Sequence, residues 1–329
     1  MAGEGAGASL APSTGTGDSV AERVARAAAA RPAPGPRRWL MERAAWAAGT
    51  LRIAWSDHLA KVGIVMLVLF LLAAGIGPEI RTTPPFESVT LEDGRIAKNL
   101  PPSRAYPAGT NRLGQDLLVQ LLHGARMAIF VGLLAAGGGA IIGTLVGLTA
   151  GYYGRLVDQT LMRVTDVALA IPFLPFALVF LALFGPGLRN IVIILALLFW
   201  RSPARVVRSQ VLTLKERPYI QAARAGGAGN VRIMFVHLLP NLLPLIFLYV
   251  ALGIGGAVSA EASVSFLGFG DPLTATWGQI LNSAFTAGAM RTAWWWVVFP
   301  GLALTLFVTS IYLVSRGYEE AVNPRLRRM

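Results

Sequence analysis

The sequence predicts an all-α integral membrane protein with six transmembrane helices, and three observations lead to that class. Hydrophobic residues make up 54% of the chain and charged ones 14%, a balance outside the usual range of soluble domains. Apolar runs recur at lengths near the roughly 20 residues that a helix needs to cross a bilayer core. Lys and Arg are unevenly shared among the connecting segments, as the positive-inside rule requires. With six spans and both termini in the cytoplasm, 21 of the 29 lie inside and 8 outside.

Residues 1–57 are rich in Ala, Gly, Ser and Pro with scattered Arg, and the long apolar run begins only after Lys61. The segment reads as a largely disordered cytoplasmic tail and not as a cleavable signal. The first span covers 58–80, strongest from Val62 to Ile76. Residues 81–126 form an external segment. Within it Leu117, Leu118, Leu121 and Leu122 repeat at helical spacing, which predicts an amphipathic helix lying on the outer surface between Gly109 and Arg126.

Residues 127–316 supply the other five spans. The second lies between Arg126 and Arg155 and holds Gly139, Gly143, Gly147 and Gly151 at four-residue intervals, a seam that lets helices pack backbone to backbone. Static packing explains the seam more simply than a moving contact. The third span lies between Asp166 and Arg189. Pro172 and Pro175 remove two helical donors there and predict a bend. The fourth is the weakest, because only eleven residues separate Arg189 from Arg201. It must begin near Gly187 and continue through Val207, with Arg201 and Arg205 snorkelling or facing protein. Without it the basic stretch from Arg201 to Arg232 would face outward, against the charge rule.

The fifth span lies between His237 and Glu261 and the sixth between Arg291 and Arg316; residues 317–329 form a cytoplasmic C-terminal tail. Trp294, Trp295 and Trp296 open the sixth span, and Tyr152 and Tyr153 close the second, where amphipathic rings suit the membrane interface. An aromatic substrate cage is the sharper reading of the Trp cluster and interfacial anchoring the plainer one. Between the last two spans, Glu261 to Pro272 alternates Gly with aromatics, which predicts a tightly packed non-helical loop at the surface.

A polar, basic segment, 209–238, joins spans four and five. If Pro218 opens a helix, Tyr219, Ala222, Ala223 and Gly226 share one face, while Gln221 and Arg224 point the other way. That face is small and smooth, with Tyr219 as an aromatic anchor, and it suits close approach by another protein. Gly227 and Gly229 interrupt the helix and Asn230 is placed to cap a second one before Pro240.

Several function classes have no support. The chain has no cysteine, and its three histidines, His58, His123 and His237, are scattered, so no metal site is expected. The net charge of +12 sits beside apolar spans, which favours membrane topology over nucleic-acid binding. No Gly-Lys pair exists, so there is no P-loop, and no HExxH, GxSxG or intramembrane carboxylate pair marks a catalytic or cofactor site. An ion-gradient-driven secondary transporter normally needs ionisable groups near mid-membrane. Spans two, three, five and six offer none in their cores, with Asp166 and Glu261 at span ends. That transporter and a non-transporting membrane scaffold stand as alternatives.

The 209–238 segment resembles the cytoplasmic coupling loop of inner-membrane permease subunits of ABC importers. Ala222, Ala223, Gly227, Leu239 and Pro240 fit that loop's spacing, with His237 where related members often carry His. Gln221 stands where Glu is usual, and Gly226 where Leu is common. Two further motifs resemble the C-type permease of dipeptide, oligopeptide and nickel importers. One comprises Gly109, Thr110, Gly114, Asp116, Gly124, Ala125 and Arg126, with Asn111 and Gln115 in place of the usual Asp and Arg. The other comprises Ser265, Phe266, Leu267, Gly268, Gly270, Trp277 and Gly278.

This resemblance, spanning Gly109 to Gly278, implies a type I importer permease fold in the plasma membrane of a prokaryote. It implies a second permease subunit, two cytoplasmic ATPases that hold ATP and Mg, and an extracytoplasmic substrate-binding protein. The expected cargo is di- or oligopeptide, with nickel chelates, glutathione or other small solutes as alternatives. Tyr219, Gln221, Ala222, Ala223, Gly226 and Gly227 are the expected ATPase-coupling residues.

Overall fold

In a bilayer each backbone N–H and C=O must be satisfied within its own element, and long apolar helices meet that demand. The computed structural model describes residues 57–322. The tail read from 1–57 therefore lies, apart from Asp57, outside the described residues, as do the last seven residues of the C-terminal tail. Among the described residues the secondary structure is helical apart from isolated β-bridges.

Helix α1 (His58–Ile80) starts where the Asp57 carboxylate accepts the amides of Leu59 and Ala60 at 3.2 and 3.3 Å. An irregular segment then leads to Asp116, which accepts the Leu118 amide at 2.8 Å and caps α2 (Leu117–Tyr153). Its 37 residues extend about 55 Å at 1.5 Å per residue, well beyond a hydrocarbon core of about 30 Å. The expected separate surface helix is thus corrected. Leu117 to Arg126 form the first turns of the second span itself, with Leu117 buried in an apolar cluster with Trp277 and Phe307.

Helices α3 (Arg155–Ala170) and α4 (Phe173–Phe184) meet at an angle of 88° across Ile171 and Pro172. The bend falls at the first of the two prolines. Helices α5 (Leu188–Phe199) and α6 (Arg201–Leu214) run on as one span, Leu188–Leu214. A short α7 (Pro218–Ala225) follows. A helical turn, Asn230–Arg232, then passes through a π-helical stretch, Ile233–Leu238, into α8 (Leu239–Val264). The π stretch precedes Pro240, whose ring would clash with a carbonyl in regular α geometry. After α9 (Trp277–Thr286), α10 (Trp295–Val322) completes the order. Among the described residues five helical stretches are long and apolar enough to span, and the bent α3–α4 pair, taken as one, makes a sixth.

The basic span four is accommodated by neighbours. Arg205 pairs with Asp166 at 2.6 Å, and Arg208 donates from Nε and Nη2 to both oxygens of Asp158, each at 2.5 Å. Arg201 instead donates to backbone carbonyls of Leu198 and Ala168.

The glycine seam of α2 has its partner inside this chain. A Cβ at Gly143 would sit 2.5 Å from the Trp200 carbonyl oxygen, and one at Gly147 would sit 2.4 Å from that of Ala204. Gly139 and Gly151 meet Phe199 and Val211 in the same way. The seam therefore packs α2 against the α5–α6 span.

Three aromatic rings from different helices, Phe70, Trp277 and Phe307, meet edge to face with centroids 5.3 to 5.9 Å apart. Trp277 Nε1 donates to the Leu121 carbonyl at 3.1 Å. Of the Trp cluster, only Trp294 is exposed, at 55%. Trp295 and Trp296 are buried, and Trp295 Nε1 donates to the Thr110 carbonyl at 3.3 Å. Likewise Tyr153 is exposed but Tyr152 is buried. The expected non-helical loop after Glu261 is also corrected. Helix continues through Val264 and a π turn, Ser265–Phe269, and breaks where Gly268 adopts φ +92°. Glu261 is consequently not at an exposed span end. It is 4% exposed, with the Ser265 hydroxyl donating to its Oε1 at 2.6 Å.

Because the α2–α6 contact runs backbone to backbone, Gly147→Leu is expected to destabilise the protein by about 3 kcal/mol or more. Gly137→Ala, with nothing within 4 Å of the new methyl, should be neutral. Thermal unfolding of the purified variants followed by size-exclusion chromatography checks this; equal profiles would show that the seam tolerates bulk.

Candidate functional site

The segment between spans four and five is short of apolar residues, so its placement depends on few contacts. Pro218 occupies the first turn of α7, where its missing N–H costs nothing. Ile220 is the one large aliphatic residue of the helix and is completely buried. It enters an apolar cluster with Leu148 and Tyr152 of α2, Val207 and Val211 of α6, and Ile233 and Leu238 of the π stretch. A single side chain thus fastens α7 to the ends of three spans.

That anchor sets which face points outward. Tyr219 is 43% exposed, and Gln221, Ala222, Ala225, Gly226 and Gly227 are exposed with it. Ala223, three residues from Ile220, is half-buried, at the inner margin of the face that the two alanines share. Gln221 turns outward as well, donating to the Glu216 carbonyl at 3.3 Å. Tyr219, Ala222 and Gly226 are exposed on one side of the helix, and Ala223 beside them is half-buried.

The helix ends in a Schellman motif. The Ala228 amide donates to the Ala223 carbonyl and the Gly227 amide to that of Arg224, both at 3.0 Å. Gly227 sits at φ +81°, a left-handed position that a side chain would strain. Its place in the motif thus has a backbone cause.

Asn230 does not cap the next helix; Gly229 holds that position. The Asn230 side chain instead accepts a hydrogen bond from the Tyr152 hydroxyl at 2.8 Å, and the Arg224 guanidinium lies 6.0 Å from the Tyr152 ring. Lys215 Nζ donates to the Gly151 carbonyl at 2.9 Å, tying the end of α6 to the end of α2. Tyr152, Lys215 and Ile220 are the supporting residues that sequence reasoning missed. Only Ile220 left a signal, as a lone large aliphatic in a helix otherwise small and polar. No separate second helix forms in the segment, since the turn at Asn230 continues into the fifth span.

The outer motifs build a scaffold. Asn111 Nδ2 donates to Gln115 Oε1 at 2.6 Å, and Gln120 Nε2 donates to the same oxygen at 2.9 Å and to the Pro85 carbonyl. Gln115 Nε2 reaches the Phe86 carbonyl at 2.8 Å. The two departures noted in the sequence therefore bond to each other as neutral amides, while Arg81 pairs with Asp116 at 2.6 Å. Gly124 lies against the Trp277 ring, too close for a Cβ, so the Gly-Ala-Arg and Trp-Gly motifs meet in space.

Comparison with known proteins agrees with this architecture. Residues 143–328 match the family described as binding-protein-dependent transport system inner membrane component. A dipeptide transport system permease protein DppC of Alkalihalophilus pseudofirmus is 35% identical, over 82% of this chain and 87% of its own length. A protein of the same name from Bacillus subtilis is 34% identical over 83% of each chain. A di/tripeptide transport system permease protein DppC of Pseudomonas aeruginosa is 35% identical over 80% of this chain and 88% of its own. Among solved structures, a chain of the inward-facing MetNI methionine ABC transporter in its native crystal form aligns with a TM-score of 0.50 at 22% identity. The alignment covers 62% of this chain and 97% of that one, and it supports the fold. With more than half of its length matched, and relatives above 30% identity matched over more than four fifths of their own length, the chain belongs to the inner-membrane permease components of binding-protein-dependent ABC transport systems.

Proposed function

We propose that the chain is one of two permease subunits of an ATP-driven importer of di- and oligopeptides, and that α7 is its docking surface for a cytoplasmic ATPase. The observation behind this reading is the small exposed face of Tyr219, Ala222 and Gly226 on a helix pinned to three spans through Ile220. The peptide cargo is supported by relatives whose names carry dipeptide and di/tripeptide transport. A second permease of similar fold, two ATPases holding ATP and Mg, and an extracytoplasmic binding protein complete the machine. Both termini and α7 lie in the cytoplasm of a prokaryotic cell.

Work enters through α7. Closure of the ATPases pushes a helix that is too short to yield on its own account, and Ile220 transmits the displacement to α2, α6 and the π stretch. The Tyr152–Asn230 hydrogen bond and the continuous helix from Asn230 to Phe269 extend that linkage across the fifth span. A rocking permease needs two states that the ATPases bind unequally, and a rigidly seated coupling helix supplies the differential contact. Gln221 and Gly227 serve this surface differently: the first as an exposed polar contact, the second by setting the turn.

Two outcomes test the proposal. The chain has no cysteine, so Ser209→Cys on α6 and Thr286→Cys on α9 report topology cleanly. In intact cells an impermeant thiol reagent is expected to label position 286 and leave 209 unmodified; labelling of 209 would reverse the orientation. The second concerns docking. Ala222→Asp places an unpaired charge at the proposed contact, a change that typically costs several kcal/mol. It should abolish ATPase co-purification and uptake while insertion and thermal stability stay normal. Uptake within twofold of wild type would remove α7 from the coupling role.

A further inference from the structure

Span four carries three arginines on α6, and two of them are neutralised by carboxylates of α3: Arg205 by Asp166 and Arg208 by Asp158. Arg201 is different. It lies within the membrane-spanning stretch Leu188–Leu214, and among the described residues no carboxylate stands within ion-pair distance of it. Its Nε donates to the Leu198 carbonyl at 2.6 Å, and its Nη1 to the carbonyls of Ala168, at 2.5 Å, and Ile171, at 3.4 Å. Those last two carbonyls belong to the end of α3, freed by the break before Pro172. The guanidinium is therefore held by a hydrogen-bonded frame while Nη2, with two N–H groups, has no acceptor among the described residues.

This charge lines a cavity of about 320 Å³, together with Phe173, Phe199, Ser202, Tyr249 and Gly253. Ser202 is exposed and Tyr249 partly so, and the cavity thereby reaches the surface of the chain at the bend between α3 and α4. An uncompensated cation in a membrane span is costly unless it meets an anion or water. A positioned guanidinium with free N–H groups is complementary to a carboxylate, and aromatic walls with one hydroxyl suit the organic part of a small solute.

From this geometry we infer that Arg201 is a binding residue for the carboxylate of the transported solute, its free terminal carboxylate where the solute is a peptide. The inference rests on the peptide reading above. It assigns the permease itself a preference for anionic ends, separate from any selectivity of the external binding protein. The bonds to Ala168 and Ile171 hold the guanidinium at the cavity wall, so the same residue links the bent third span to the occupied site.

The test uses the complete permease–ATPase complex in lipid nanodiscs without the binding protein, and measures equilibrium binding of radiolabelled trialanine and of its C-terminal amide. Wild type is expected to bind the free acid about tenfold tighter or more, the range of one charge-assisted hydrogen-bonded contact. Arg201→Gln should bind both forms alike, at the affinity of the amide, and Arg201→Lys should keep part of the preference. A variant that merely loosens α3 would weaken both peptides equally, which overturns the assignment. So would a wild type that does not distinguish acid from amide, or an Arg201→Gln that still does. Uptake of trialanine by the full system, binding protein included, separates the two levels. Uptake without an acid preference in the complex removes only the role of Arg201; absence of any peptide uptake removes the cargo reading and this inference with it.

Discussion

The backbone-to-backbone contact between α2 and the α5–α6 span is the constraint on which the rest of this molecule depends. In lipid, apolar side chains gain little by meeting one another, so helices associate through close packing and polar links. Four glycines on one face of α2 allow that approach; at Gly143 and Gly147 the opposing atoms are carbonyl oxygens, which no rotamer change can move aside. With α6 seated there, its arginines are aimed at α3, and Asp158 and Asp166 lie where they can neutralise two of them. A weakly apolar fourth span becomes tolerable because two of its charges are paired with carboxylates and Arg201 is held by backbone carbonyls.

The same contact prepares the seat of α7. Leu148 and Tyr152 of α2 and Val207 and Val211 of α6 form the apolar socket that Ile220 fills. An isolated eight-residue helix has little stability in water, because nucleation costs are spread over too few hydrogen bonds. α7 exists as an ordered surface through that socket, its Schellman ending and the bond from Tyr152 to Asn230. The π stretch beyond it continues into the fifth span without a joint. A flexible loop would absorb a push, whereas a seated helix joined to a span conveys it.

At the end opposite α7, rigidity is built from neutral groups. Asn111, Gln115 and Gln120 satisfy one another and the carbonyls of Pro85 and Phe86, a network that avoids the desolvation cost of a buried ion pair. Trp277 covers Gly124 and bonds to Leu121, joining the start of the second span to α9. The two ends of the molecule thus differ in kind: an interlocked cap at one, and at the other a short helix whose exposed side carries Tyr219 beside Ala222 and Gly226.

The sequence by itself determined the class, the number of spans, the bend at Pro172 and the presence of a short helix after Pro218, because these follow from hydropathy, charge balance and proline stereochemistry. It also identified the residues that resemble a permease coupling loop. Tertiary structure alone decided which way those residues face. Burial of Ile220 leaves Ala223 half-buried and Ala222 exposed, a choice that spacing within an eight-residue helix leaves open. It decided that the glycine seam is occupied by α6, that Trp295 and Trp296 belong to the core, and that Asn230 bonds to Tyr152 instead of capping. Each of these outcomes depends on a partner 50 or more positions away, and local pattern holds no information about which distant group arrives. The separate roles of Arg201, Arg205 and Arg208 have the same origin: three identical side chains on one helix were divided by where α3 bends.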